Sequence, residues 1–222
     1  MCYCQLRRLQ YIHSRDIIHR DVKPSNIVVG VGEETNLVYL IDFGLSKEFR
    51  DPNTRLHIPY SKGLGLTGTT TFASINSHLG LELGRRDDLE SLAYVLFYFL
   101  WGYLPWEEED ERSILESKQS ITTHHLFLGL PTEFCAFFEH CRSLSFEGKP
   151  NYDYFYDLFN NLLLREGFRS DMAFDFDVAA PGSKIKQGFK KSGVHRHKRD
   201  YSPRCRTGYV SYLTILYHFM AF

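Results

Sequence analysis

The stretch Ile17-Ile18-His19-Arg20-Asp21-Val22-Lys23-Pro24-Ser25-Asn26-Ile27-Val28-Val29, followed by Leu37-Val38-Tyr39-Leu40-Ile41-Asp42-Phe43-Gly44, sets the organisation of the chain. Its two β-branched runs, 27–29 and 37–41, flank a Gly-, Glu- and Asn-containing connection and predict a small hairpin. Upstream, residues 1–15 place Tyr3, Leu6, Leu9 or Gln10, and Ile12 near one face, the pattern of an amphipathic helix leading into 17–26. Downstream, residues 44–80 carry many Gly, Pro, Ser, Thr and Asn without a sustained period, which predicts a long ordered loop of the kind that carries function. Asp87 and Asp88 then cap 89–100, a run apolar nearly all round and so a helix buried mid-domain. After the acidic stretch 107–111, Pro131 opens a helix with Phe134, Phe137, Phe138, Cys141 and Leu144 at helical spacing. In a last helix Tyr154, Phe155, Leu158, Phe159, Leu162 and Leu163 share a face, with Gly167 as its cap.

With 222 residues and 43% hydrophobic content, the chain can bury a sizeable core, which excludes disorder throughout and suits one domain plus an appendage. The five Cys form no C-x-x-C pair and are odd in number, which argues against a disulfide framework or zinc ribbon and for a reducing compartment, cytoplasm or nucleus. The N-terminus carries Arg7 and Arg8 in an apolar pattern and lacks the features of a secretory signal. The apolar run 208–222 is shorter than a bilayer span, so no membrane partner is expected. Net charge is −1 overall, but from residue 178 onward nine Lys or Arg face one acid, Asp200. That break divides a domain at 1–177 from a basic, disordered extension at 178–222. Lys190-Lys191 and 196–199 could form a nucleic-acid or nuclear-import patch. A solvated extension is the better reading, and no nucleic-acid partner is expected. His124-His125 and His195-Arg196-His197 lack Cys or carboxylate at ligand spacing, so no zinc is assigned.

The segment 19–26 carries His-Arg-Asp followed by Asn five residues after the Asp, the arrangement of a protein-kinase catalytic loop. One tight loop there presents a carboxylate, Asp21, to a substrate hydroxyl and an amide oxygen, Asn26, to magnesium. Asp42-Phe43-Gly44 adds a carboxylate for the magnesium that bridges nucleotide phosphates, then a glycine that permits the turn. Each piece alone is most often a capped turn or a loop entry. In this order, with a hairpin between and a buried helix after, the chance reading becomes improbable. Gly63-Leu64-Gly65-Leu66-Thr67-Gly68 also matches G-x-G-x-x-G, but it lies after the magnesium loop, where no phosphate cradle belongs.

The run 37–47, with His57-Ile58-Pro59-Tyr60, Leu66-Thr67-Gly68-Thr69, Ala73-Ser74-Ile75-Asn76-Ser77-His78-Leu79-Gly80 and Arg85-Arg86-Asp87-Asp88-Leu89-Glu90-Ser91-Leu92, resembles the casein kinase I family of serine/threonine protein kinases. That family replaces the usual Ala-Pro-Glu of kinases with Ser-Ile-Asn, which Ser74-Ile75-Asn76 supplies. Weaker similarity runs through Pro105-Trp106 and Lys149-Pro150-Asn151-Tyr152 to Phe168, so about residues 5 to 177 are covered. The resemblance implies a protein-kinase-like fold, C-terminal lobe, mainly α with a small β-hairpin. It implies ATP and Mg2+ as cofactors, Ser/Thr-bearing protein substrates and a monomer. By the same resemblance Asp21 is the catalytic base, Lys23 steadies the transferring phosphoryl group, and Asn26 and Asp42 hold the metal and nucleotide. Thr69 hydrogen-bonds Asp21 and Lys23, and Asp88 accepts from the backbone around His19 and Arg20.

The match also departs from the family. No Gly-rich loop, phosphate-pairing lysine strand or partner helix precedes the catalytic loop, and the eighteen residues before His19 cannot build a five-stranded lobe. The sequence reads as truncated, with nucleotide binding that is weak or runs only through Asp42 and Asn26. A non-catalytic interaction module and a destabilised fragment without function are the rival readings. Thr71 stands where the family has an anion-binding Arg, and residues 107–111 are acidic where many relatives are basic. Like charge there predicts a weakened preference for phosphorylated substrates. Ser25, where relatives are usually acidic, reads as a tolerated surface change.

Overall fold

A computed structural model describes residues 2–34, 37–107 and 109–167; the basic stretch from residue 178, the run 208–222 and the expected boundary between domain and extension lie outside the described residues. The order is α1 (Cys2–His13), β1 (Ile17–Ile18), a 3-10 turn (Pro24–Asn26), β2 (Ile27–Val29), a second 3-10 turn (Gly32–Glu34), β3 (Val38–Leu40), β4 (Lys47–Glu48), α2 (Ile75–His78), α3 (Arg85–Trp101), α4 (Glu111–Ser120), α5 (Thr123–Leu126), α6 (Thr132–Ser143) and α7 (Tyr152–Arg165).

The expected hairpin forms: β2 and β3 pair antiparallel with Ile27 opposite Leu40 and Val29 opposite Val38. A second antiparallel pair, β1 with β4, sets Ile18 opposite Lys47. Ile18, Phe49 and Leu83 make a small buried cluster beneath it. Sequence pattern gives no sign of this pair, because two residues per strand carry no alternation to read. The loop between β4 and α3 is long, as expected, and is interrupted by the single turn of α2, capped by the Ser74 hydroxyl on the Ser77 amide.

Helix α3 is buried along nearly its whole length, which makes it the axis of the core. It starts four residues before the expected Leu89. Gly84 is the N-cap residue, and Asp87, expected as a cap, sits in the first turn with its carboxylate accepting from the Gly84 amide at 2.7 Å. A carboxylate there satisfies an orphan donor and complements the helix dipole from inside the helix. At the far end Gly102 adopts φ +79 and returns its amide to the Tyr98 carbonyl at 2.7 Å, a left-handed stop open to glycine at little cost.

Around α3 the core is aromatic. Phe134, Phe137, Phe138 and Cys141 of α6 are buried as their spacing predicts, whereas Leu144 lies just past the helix end and is half-buried. Phe137 meets Phe155 edge-on with centroids 4.9 Å apart, and Tyr94 meets Trp106 at 5.1 Å. In α7 the buried face is Tyr152, Phe155, Phe159, Leu162 and Leu163, while Tyr154 is exposed. At roughly 100° per residue Tyr154 is rotated off the seam that Tyr152 shares with Phe155 and Phe159, so the expected face is shifted by one member. Gly167 follows α7 with φ +77, as a terminal cap requires.

The sequence reading assigns no helix between 107 and 130, yet α4 and α5 lie there. Asp110 caps α4 by accepting from the amides of Arg112 and Ser113 at 3.0 and 3.1 Å. The buried residues of α4 are only Ile114 and Lys118, which leaves no apolar stripe to detect. Phe137 is fully buried between Phe155 and Phe159, so Phe137→Ala is expected to cost about 3–5 kcal/mol through lost burial and a residual cavity. A lowered urea midpoint with unchanged slope would show it.

Candidate active site

The loop after β1 is held from below by one carboxylate. Asp88, in the first turn of α3 and fully buried, accepts from the amide of His19 at 2.7 Å and of Arg20 at 2.8 Å. Its third partner is His13 Nε2 at 2.9 Å, and the other ring nitrogen of His13 meets the Tyr152 hydroxyl. Burial raises the Asp88 carboxyl pKa, but the His13 hydrogen bond and the amide donors outweigh it and hold the group below its ordinary 3.8. Asp88 therefore carries a charge that three donors share, and α1, α3 and α7 converge on it. Arg20 turns through φ +67 just where its amide meets Asp88, a backbone state costing about 1–3 kcal/mol for a residue with a Cβ.

The next residue, Asp21, points its side chain to the other surface of the loop. Oδ1 accepts from the Thr69 amide at 2.9 Å and the Thr69 hydroxyl at 2.8 Å. Oδ2 lies 2.6 Å from Lys23 Nζ and 3.3 Å from Asn26 Nδ2. Lys23 also donates to the Thr69 hydroxyl at 2.9 Å, closing the triangle. Burial raises the Asp21 pKa, yet Lys23 and Thr69 prevail and lower it, so the carboxylate is ionised and positioned. Thr69 can come this close because of Gly68, whose φ is +92; a Cβ there would lie 2.5 Å from the Arg20 carbonyl. Asn26 uses its amide nitrogen on the Asp21 carbonyl at 2.9 Å, which turns its oxygen away from Asp21.

Asp42 is exposed, turns through φ +64 and accepts from the Gly44 amide at 3.2 Å. Two contacts lock its loop to the first. The Ile41 amide donates to the Asn26 carbonyl at 2.9 Å. His19 accepts the Asp21 amide at Nδ1 and places Nε2 3.0 Å from the Ile41 carbonyl, its ring edge-on to Phe43 at 5.0 Å. The structure thus brings Asp21, Lys23, Asn26 and Thr69 into one cluster and fastens the segment before Asp42 to it. Among the described residues no group of three or more His, Cys, Asp or Glu stands ready to hold a metal alone. A carboxylate and an amide oxygen, completed by phosphate oxygens, are instead the ligand set that magnesium accepts.

A family model for the protein kinase domain matches residues 1–153. The chain belongs to the protein kinase family. Its activity class is therefore that of a phosphoryl transferase, and ATP with magnesium is the family's general requirement.

Two further groups of this kinase support the wall of the site. Asp87 accepts from Ser74 Oγ at 2.7 Å and Asn76 Nδ2 at 2.9 Å as well as from Gly84; burial outweighs these donors and pushes its carboxyl up to about 6. Ser74 and Asn76 thereby tie α2 to the start of α3, with Arg86 Nε 3.8 Å from the other Asp87 oxygen as the nearest cation. Lys118, absent from the sequence reading, is fully buried on α4. Its Nζ donates to the carbonyls of Thr70 at 2.8 Å and Ala73 at 2.7 Å and lies 3.1 Å from His78 Nε2, over the rings of Tyr94 and Trp106. Burial pushes this ammonium down to about 7, with Glu90 opposing and Arg142 assisting. Burial and Lys118 together lower His78 to about 4. No sequence signal separates Lys118 from a solvated lysine, because what buries it is distant in the chain.

Asp88→Asn is expected to destabilise the kinase by about 1.5–3 kcal/mol at neutral pH, the worth of hydrogen bonds to a charged group. Because its folded pKa is depressed, that contribution is present above the ordinary 3.8 and lost as pH falls through the folded value. The gap between variant and wild type in denaturant unfolding closes in acid. Lys118 has the opposite window: between about 7 and 10.5 the folded state has released a proton that the unfolded chain keeps, so stability rises with pH there. Lys118→Met is expected to remove about 1–2 kcal/mol of that rise between pH 7.5 and 9.5, measured as urea midpoints at both pH values.

Proposed function

We propose that residues 1–177 form the C-terminal lobe of a serine/threonine protein kinase of casein kinase I type, which moves the γ-phosphoryl group of ATP to a Ser or Thr hydroxyl of a protein. The observation that carries the reading is the closed triangle of Asp21, Lys23 and Thr69. Asp21 orients the acceptor hydroxyl and takes its proton as the new oxygen–phosphorus bond forms and the bond to the ADP oxygen breaks. Lys23, neutralised in the resting site by Asp21, faces the charge on the transferring group. Asp42 and the Asn26 oxygen would hold magnesium, which when bound would screen the phosphate charge. Thr69 bonds both Asp21 and Lys23, and the family resemblance associates that threonine with an aliphatic hydroxyl over tyrosine. Ser74 and Asn76 on Asp87 support the subfamily assignment, since they give the Ser-Ile-Asn sequence a structural use. The absence of a C-x-x-C pair and the odd number of cysteines support a reducing compartment, cytoplasm or nucleus.

A second reading, a non-catalytic interaction module, is favoured by one feature. Leu37, Ile41, Phe43 and Leu45 around the Asp42 loop are each about two-fifths exposed, an apolar surface suited to a covering partner.

Magnesium-dependent ATP binding and peptide phosphorylation by the purified chain discriminate the two. Asp42→Ala is expected to abolish magnesium-dependent nucleotide binding, and Asp21→Asn to lower turnover by about 10²–10⁴-fold with binding retained. Ser and Thr peptides are expected to be substrates and Tyr peptides not, with little preference for primed over unprimed sequences. A cooperatively folded sample that neither binds nucleotide nor transfers phosphate leaves the interaction reading.

A further inference from the structure

Beside the Asp21 cluster lies a cavity of about 310 Å³ whose lining includes Lys23, Pro24, Thr71, Phe72, Tyr98 and Glu107. Its walls are fixed. The Trp106 indole donates to the Thr71 carbonyl at 2.9 Å, and Lys118 holds the carbonyls of Thr70 and Ala73 on either side. Phe72 packs edge-on against Tyr98 with centroids 5.7 Å apart. Its two charged side chains are not equivalent. Lys23 is already neutralised by Asp21 at 2.6 Å. Glu107 makes no ion pair among the described residues; its carboxylate has only the Leu104 amide, at 3.4 Å. Three aromatic or ring-bearing walls and one carboxylate without a counter-ion make a receptor for an apolar stem ending in a cation.

We infer that this cavity seats an arginine or lysine side chain of the substrate close to the acceptor residue, with Pro24, Phe72 and Tyr98 around the stem and Glu107 on the cation. The inference rests on the reading of Asp21 as the residue that receives the acceptor hydroxyl, since Lys23 and Thr69 are shared by both sites. It gives the kinase a basic-directed specificity, the reverse of attraction to acidic or phosphorylated sequences, because a phosphate brought into this cavity would meet Glu107.

Binding of fluorescent Ser peptides to the full chain, followed by anisotropy, tests it without requiring turnover. Arg, Ala, Glu or phosphoserine is placed at each flanking position in turn. At one position or more, the Arg peptide is expected to bind about tenfold more tightly than the Ala peptide, with Glu and phosphoserine weaker still. Glu107→Gln should erase the difference and Glu107→Lys should reverse it; Glu107 is exposed, and thermal melting of both variants checks that they fold. Equal binding of Arg and Ala peptides, no binding of either, tighter binding of the phosphoserine peptide, or an Arg preference that survives both variants would overturn the inference. Phosphate transfer to the same peptides separates the two proposals. An Arg preference without transfer removes the transferase reading alone, and transfer without an Arg preference removes the specificity site alone.

Discussion

The carboxylate of Asp88 is where the core and the chemistry meet. It is fully buried and ionised, which would be costly if its donors came from solvent-facing side chains that could leave. Instead two are backbone amides of the loop at 19–26 and the third is a ring clamped between helices. The loop cannot relax without exposing a buried charge to an apolar interior, and α3 cannot shift without moving the loop. Such an arrangement holds Asp21 in place by making every alternative position expensive, which is how a single residue in a helix becomes responsible for geometry on a surface it never touches.

A second device works on the opposite wall. The segment 70–73 follows Thr69 as a turn whose carbonyls have no ladder to join. Lys118 and Trp106 reach across from the region after α3 and take three of them. A protonated lysine in that position faces two carbonyl oxygens, the His78 ring nitrogen and two aromatic faces, so its solvation is replaced by dipoles and π clouds, with Glu90 as a more distant counter-charge. The arrangement fixes the wall well at the expense of a strongly perturbed ammonium. Asp87 shows the mirror case, a carboxylate held by a hydroxyl, an amide and a backbone N–H, with the Arg86 guanidinium farther off at 3.8 Å.

What could be read in the sequence was whatever chemistry or periodicity writes in consecutive residues. The spacing from Asp21 to Asn26, and the Asp42-Phe43-Gly44 turn, are local because a loop must deliver their atoms together. The hairpin showed in its β-branched runs and α3 in its unbroken apolar character. The start of α3 was misplaced because Asp87 and Asp88 look like cap residues, whereas one works from within the first turn and the other belongs to the loop below. Helix α4 left no trace because its inner face is an isoleucine and a lysine. Lys118 and the Trp106 contact are products of packing between segments some 35 to 48 residues apart, and no pattern within either segment encodes the meeting.

Arg20 and Asp42 both hold left-handed backbone angles, φ +67 and +64, in the two loops that His19 fastens together. Glycine would occupy either conformation without strain, and at Asp42 the exposed carboxylate contributes little to the fold. If Asp42 holds magnesium as proposed, selection for abundance and selection for phosphoryl transfer pull this position in opposite directions. A variant library sorted only for folded protein should drift toward glycine at 42, accumulating molecules that are sturdier than their parent and chemically silent.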